Sequence, residues 1–189
     1  LAAGQLFDDQ GSGAVAGSGR NINQGIFNNA GTYTKSAGVD WTYISAVFNN
    51  TGALNVNSGM VRLAGGGSSS GSITVAAGAT LQTESSTFAV SGSLSNAGTL
   101  HLYSGTTTFT APMSYSGTGT VNVAGGLLRV QGNGLDPVTL SMTGGTLSGA
   151  GTVTVGTLNW TSGTMGEYEA SNFGGTTNVM GLATLSGNG

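Results

Sequence analysis

The chain has 189 residues, of which 99 are Gly, Thr, Ser or Asn and only 6% are charged, against roughly a quarter in an ordinary soluble domain. A formal net charge of −3 with 38% hydrophobic residues excludes charge-driven disorder, and 36 glycines without a three-residue period exclude collagen. So much glycine argues against a helical bundle, four Lys and Arg argue against nucleic-acid binding, and the absence of cysteine removes disulfides, thiolate metal sites and a thiol nucleophile.

Residues 1–25 are rich in Gly, Ala, Ser and Asn, show no clean alternation, and begin without a basic-then-apolar leader pattern. Regular sequence starts at about residue 26. Phe27-Asn28-Asn29-Ala30-Gly31-Thr32-Tyr33-Thr34 returns as Phe48-Asn49-Asn50-Thr51-Gly52-Ala53-Leu54-Asn55, and more loosely as Leu94-Ser95-Asn96-Ala97-Gly98-Thr99-Leu100-His101. A shorter unit (Gly, small, apolar, polar, apolar) recurs at Gly52–Val56, Gly71–Val75, Gly98–Leu102, Gly119–Val123 and Gly151–Val155. A similar second strand follows at Gly59–Leu63 and Gly126–Val130. Residues 160–189 keep the Gly and Asn but lose the alternation, and Ser186-Gly187-Asn188-Gly189 reads as the middle of a pattern. The chain is therefore expected to be a piece cut from something longer.

Two-residue alternation in runs of four or five, broken by Gly, Asn and Ser, predicts short strands and tight turns. It places Leu54, Val56, Ile73, Val75, Leu100, Leu102, Val121 and Val123 in one buried column. Thr34, Asn55, Thr74, His101, Asn122 and Thr154 form the matching outward column. A unit of about 20 residues cannot bury its apolar face alone, but stacked copies can. The expected fold is all-β: a parallel β-solenoid, a right-handed β-helix of about nine coils. One segment spans 1–189, most regular over 26–155 and less regular at 1–25 and 160–189. An antiparallel sandwich is the competing architecture, but sandwich strands have no reason to be copies of one another. Asn tolerates the left-handed backbone of sharp corners, and stacked amides form ladders. Asn28 with Asn49, and Asn29 with Asn50, are the expected ladder pairs.

The stretch Phe48–Gly59 followed by Gly71–Leu81 resembles the repeats of very large secreted bacterial surface proteins, the autotransporter passengers and filamentous-haemagglutinin-like adhesins. The resemblance covers about residues 26–155. It implies an exported, displayed β-helix whose repeats act as stalk and scaffold, and it carries no functional residue with it.

Few residues offer chemistry. His101, the only histidine, occupies a slot that holds Asn or Thr in other repeats, so it reads as a surface position and His101→Asn as a tolerated change. Asp8-Asp9 and Glu167/Glu169 are the only close acidic pairs and read as solvated loop carboxylates, with weak calcium binding as the alternative. Arg20, Lys35, Arg62 and Arg129 are scattered, and Arg62 and Arg129 read as surface decoration. Gly65–Gly71 is followed by no lysine or helix, and Gly132-Asn133-Gly134-Leu135-Asp136 is a single copy of a motif that works only in tandem. No catalytic, cofactor or metal residue is assigned. Trp41 and Tyr43 fall on one side of a strand and are the candidate carbohydrate contacts. The sequence thus predicts a non-enzymatic, secreted or cell-surface scaffold. Its expected partners are copies of itself, further repeats or surface glycans, with no nucleic acid and no membrane insertion. A carbohydrate-binding or carbohydrate-cleaving β-helix is the alternative, and an ice-binding solenoid a lesser one, since His101 would break a flat threonine row.

Overall fold

A strand that alternates apolar and polar residues buries one side of its pleat, and glycine at each corner lets the chain turn before the next strand begins. In the computed structural model, residues 1–11, 20–23, 25–132, 134–166 and 175–187 are described. The first coil holds β1 (Leu6–Asp9), β2 (Arg20–Ile22) and β3 (Ile26–Asn29), and the second β4 (Thr32–Lys35), β5 (Trp41–Ile44) and β6 (Val47–Asn50). The third holds β7 (Ala53–Val56), β8 (Met60–Leu63) and β9 (Gly67–Ser69), and the fourth β10 (Ser72–Val75), β11 (Thr80–Thr83) and β12 (Thr87–Val90). Next come β13 (Ser93–Asn96), β14 (Thr99–Leu102) and β15 (Thr106–Thr110), then β16 (Ser114–Ser116), β17 (Thr120–Val123) and β18 (Leu127–Gln131). The last strands are long: β19 (Thr139–Ser148), β20 (Thr152–Met165) and β21 (Thr176–Leu185).

Each strand pairs in parallel with its counterpart one coil away, which excludes the antiparallel sandwich. Three faces result. The first is a six-stranded sheet in the order β1-β4-β7-β10-β13-β16. The second runs β2-β5-β8-β11-β14-β17 and the third β3-β6-β9-β12-β15-β18. β19 joins these two, because its first half pairs with β17 and its second half with β18. The result is a parallel β-solenoid of about seven turns of roughly 21 residues. That is fewer than the nine expected, and the coils vary in length: Leu6 lies beside Thr32 and Thr152 beside Thr176, whereas Thr32 lies beside Ala53 and Ala53 beside Ser72.

The eight expected core residues are all buried, at no more than 2% exposure, but they do not share one column. Leu54, Val56, Ile73 and Val75 line the first face, and Leu100, Leu102, Val121 and Val123 the second. The outward column divides in the same way. Thr34, Asn55 and Thr74 continue to Ser95 and Ser116 on the first face, while His101 and Asn122 belong to the second. The cause is a corner motif used twice. Asn50 closes the third face before Gly52, and Asn96 closes the first face before Gly98, so similar sequences mark different corners.

At both corners the asparagine is buried and does the same thing. Asn29, Asn50 and Asn96 each donate from Nδ2 to the backbone carbonyl at the start of a strand 22–24 residues further along the chain: to Ala53 at 2.8 Å, Ser72 at 3.0 Å and Thr120 at 3.1 Å. Asn29 Nδ2 also donates to Asn50 Oδ1 at 2.8 Å, and Asn50 Nδ2 to Ser69 Oγ at 2.9 Å. These bonds satisfy the buried Nδ2 donors, whereas Oδ1 of Asn29 and of Asn96 is buried with no partner among the described residues.

Between the coils, aromatic rings stack. Phe7 lies on Tyr33 with centroids 5.1 Å apart, and Phe27 on Phe48 at 5.5 Å. The Phe27–Phe48 file is interrupted by Gly67 and resumes at Phe88. A Cβ at Gly67 would stand 2.1 Å from the Phe48 carbonyl oxygen, and its φ of +122° also demands glycine.

Asn50→Ala should lower stability by about 2–4 kcal/mol, since it strips Ser69 Oγ and the Ser72 carbonyl of a buried partner. Asn49→Ala, on the outward side of the same strand, should cost less than about 0.5 kcal/mol. Urea denaturation of the two variants side by side checks the contrast.

Candidate functional site

The large polar and aromatic side chains gather on the second face. Its strands point two files of residues outward. One runs Tyr43, Arg62, Gln82, His101, Asn122, Ser141 and Asn159, one residue per coil. The other runs Trp41, Met60, Thr80, Thr99, Thr120, Thr139 and Thr157. Parallel pairing spaces the members of each file by ~4.8 Å along the rod.

Trp41 and Tyr43 are half-buried on β5, edge to face, with centroids 6.2 Å apart. Arg62, directly above Tyr43 on β8, lays its guanidinium over both rings, 5.5 Å from the Trp41 centroid and 5.1 Å from that of Tyr43. Its position is fixed by Glu84, just past the end of β11. Arg62 Nε and one terminal nitrogen donate to the two carboxylate oxygens of Glu84 at 3.0 Å each. Gln82 Nε2 donates to the same carboxylate at 3.3 Å. Glu84 is 5% exposed. Arg62 is therefore no surface decoration: it is one half of a forked ion pair whose carboxylate is buried. The Glu84 hydrogen bond, ahead of other causes, raises the Arg62 pKa further.

His101 follows Gln82 in the file and meets Tyr103 edge-on at 6.0 Å. Burial pushes its imidazole pKa below 6.5, and the Glu84 charge opposes this more weakly. His101 Nε2 is buried and has no hydrogen-bond partner among the described residues. Tyr103 itself is 54% exposed. The corner between Glu84 and the next strand is strained: Ser85 has φ +65°, the left-handed region a non-glycine residue rarely enters, and its N–H donates to Ser104 Oγ at 2.9 Å.

A second polar cluster lies inside the first two coils. Asp9, expected to be solvated, is 2% exposed. It faces inward because β1 alternates Asp8 out and Asp9 in. Asp9 Oδ1 accepts from Gly11 N–H at 3.0 Å and pairs with Arg20 Nε at 3.0 Å. Its Oδ2 accepts from Thr42 Oγ1 and from Tyr33 OH, the latter at 3.4 Å. Lys35, at 1% exposure, donates from Nζ to the carbonyls of Gly11 and Ala37. This cluster is structural, filling polar volume where the core begins. Burial first, then the Asp9 charge, raises the Tyr33 pKa well above 10.0. Asp8 is exposed and accepts from Gln10 at 2.6 Å, so it shares no site with Asp9. Its pKa is lowered by hydrogen bonds from Ser36 and Gln10. Glu167 and Glu169 lie outside the described residues.

On the third face Asn49 Nδ2 donates to Asn28 Oδ1 at 3.0 Å on the outside, beside the buried Asn29–Asn50 pair. The five threonines from Thr80 to Thr157 form an unbroken outward file that the sequence did not reveal. Counting Thr-x-Thr pairs finds neighbours within a strand, whereas a file needs one Thr per coil at the coil-to-coil register. His101 does not interrupt this file; it stands in the adjacent one.

Set against known proteins, the chain matches no family model, no curated protein and no solved structure. The class defined by the coordinates is the parallel β-solenoid of stacked repeats.

Arg62→Met should cost about 1–3 kcal/mol, because it leaves the Glu84 carboxylate buried with Gln82 alone, and the partial exposure of Arg62 keeps the figure below that of a fully buried pair. Arg62→Met with Glu84→Met should cost clearly less than the sum of the single changes, which a double-mutant cycle measures. His101 adds an acid limb. Its depressed pKa means that its contribution is complete above pH 6.5 and is lost as pH falls through the lower folded-state value. His101→Asn should flatten that limb in thermal melts recorded from pH 7.5 to pH 4. Tyr33 acts in the opposite sense: its contribution is complete below pH 10 and is lost as pH rises further.

Proposed function

We infer that this chain is a scaffold segment, a non-enzymatic β-solenoid rod in a secreted, cell-surface bacterial protein of the adhesin kind, joined at its ends to further coils or to copies of itself. The observation that carries this reading is the state of the two ends of the stack. Among the described residues β21 is hydrogen-bonded to β20 alone, and it presents Met180, Leu182 and Leu185 at 76%, 64% and 68% exposure. At the opposite end Leu6, Phe7 and Ile26 are 64%, 39% and 67% exposed. Open strand edges with apolar side chains are templates for further parallel pairing. The low charge leaves few groups to repel a neighbour. The bacterial surface setting is supported by the Phe48–Gly59 and Gly71–Leu81 repeats.

The threonine file supports a second reading, a face that orders water or ice. Thermal hysteresis lost in Thr99→Lys would favour it over the scaffold.

For the scaffold, sedimentation of the isolated chain over a concentration series should show growing end-to-end oligomers. Leu182→Glu with Leu185→Glu should return the chain to monomer without lowering its melting temperature. A monodisperse monomer at millimolar concentration would overturn the reading.

A further inference from the structure

The geometry points to the second face, from Trp41 and Tyr43 to Tyr103, as a binding strip for a neutral oligosaccharide lying along the rod. As the adhesive part of the scaffold this deepens the reading above and rests on it for its biological role, though its chemistry is separate.

Sugar rings offer apolar C–H faces and a belt of hydroxyls, so their sites combine aromatic platforms with planar hydrogen-bonding side chains. The second face supplies both. Tyr103 is the exposed platform, 54% accessible and held edge-on by His101. Trp41 and Tyr43 form the other platform, locked perpendicular to each other beneath Arg62. Between them Asn122 and the threonines Thr80, Thr99 and Thr120, all partly exposed, present amide and hydroxyl groups at steps of ~4.8 Å along the axis, while Gln82 is buried and committed to Glu84. By contrast the outward side chains of the first face, Thr34, Asn55, Thr74, Ser95 and Ser116, are small and offer no ring to stack on.

The charge balance sets the ligand class. The Arg62 fork is committed to Glu84 through both its Nε and a terminal nitrogen, so the pair cancels its own charge and leaves no free cation for a carboxylate or sulfate. A neutral chain therefore fits better than an anionic one. The strip is also rigid before any ligand arrives. Glu84 pins Arg62, Arg62 pins two rings, and the strained Ser85 corner fixes where Glu84 stands. Side chains already immobilised lose little entropy on binding.

The test titrates the full chain by calorimetry and NMR with cellohexaose, chitohexaose and mannohexaose, and with hexagalacturonate as the anionic comparator. At least one neutral hexasaccharide should bind with millimolar or better affinity. Tyr103→Ala and Trp41→Ala should each weaken it by at least about tenfold. Ser95→Ala on the first face should leave it unchanged. Because Tyr103 is exposed, its variant should keep the parent's melting temperature, so a loss of binding there is not a loss of fold. Three results would each overturn the proposal: no neutral hexasaccharide bound at millimolar concentration, binding indifferent to both aromatic changes, or tighter binding of hexagalacturonate. None of them bears on the sedimentation behaviour that tests the scaffold.

Discussion

The structure depends on one interaction, the hydrogen bond from a buried corner asparagine to a backbone carbonyl 22–24 residues further along the chain. Asn29, Asn50 and Asn96 each make it, reaching Ala53, Ser72 and Thr120. A short strand of four residues has little affinity for its neighbour and could slip by one residue, which would turn its apolar side chains outward. The amide prevents this. It is small enough for the corner, and its Nδ2 donor reaches its carbonyl in one register, while Oδ1 of Asn29 and of Asn96 is buried with no partner among the described residues. Once the corners are fixed, the apolar side chains of every strand fall on those of the coil before, and the aromatic files between Phe7 and Phe88 follow.

Spacing set at the corners also builds the candidate site. Tyr43, Arg62, Gln82 and His101 lie about one coil apart along the chain and are brought side by side by the same register. None of them is part of a motif in the usual sense. A solenoid assembles a surface as a column of single residues, so a functional strip can change by substitution at one position per coil while the inward residues and the corners stay as they are.

The alternation and the repeated Phe-Asn-Asn triplets made the parallel solenoid and its buried residues legible in the sequence, because both follow from local periodicity. The division of the core between two faces was not legible. Gly52 and Gly98 introduce nearly the same words at different corners, and coils spaced 21 and 19 residues apart blur the period that would tell them apart. The Arg62–Glu84 pair was hidden for a related reason. Glu84 sits past the end of its strand, where the alternation that assigns inside and outside no longer applies. The inward placement of Asp9 is not legible because a doublet of acids suggests a loop, whereas a strand sends its two members to opposite sides. Trp41 and Tyr43 were visible as a pair on one side of a strand. What the sequence lacked was the cation over them.

The buried asparagines also give the rod a direction. Asn29 donates to Asn50, and Asn50 to Ser69, always from the earlier coil to the later. The strands are parallel throughout, so the two ends of the stack are chemically different surfaces. A contact that continues this pattern joins the late end of one unit to the early end of the next. It leaves both outer ends unchanged and open to repeat the step. If copies stacked in this way the joint would be heterologous and would not close, and its product would be a polar filament with two distinguishable tips rather than a two-fold dimer.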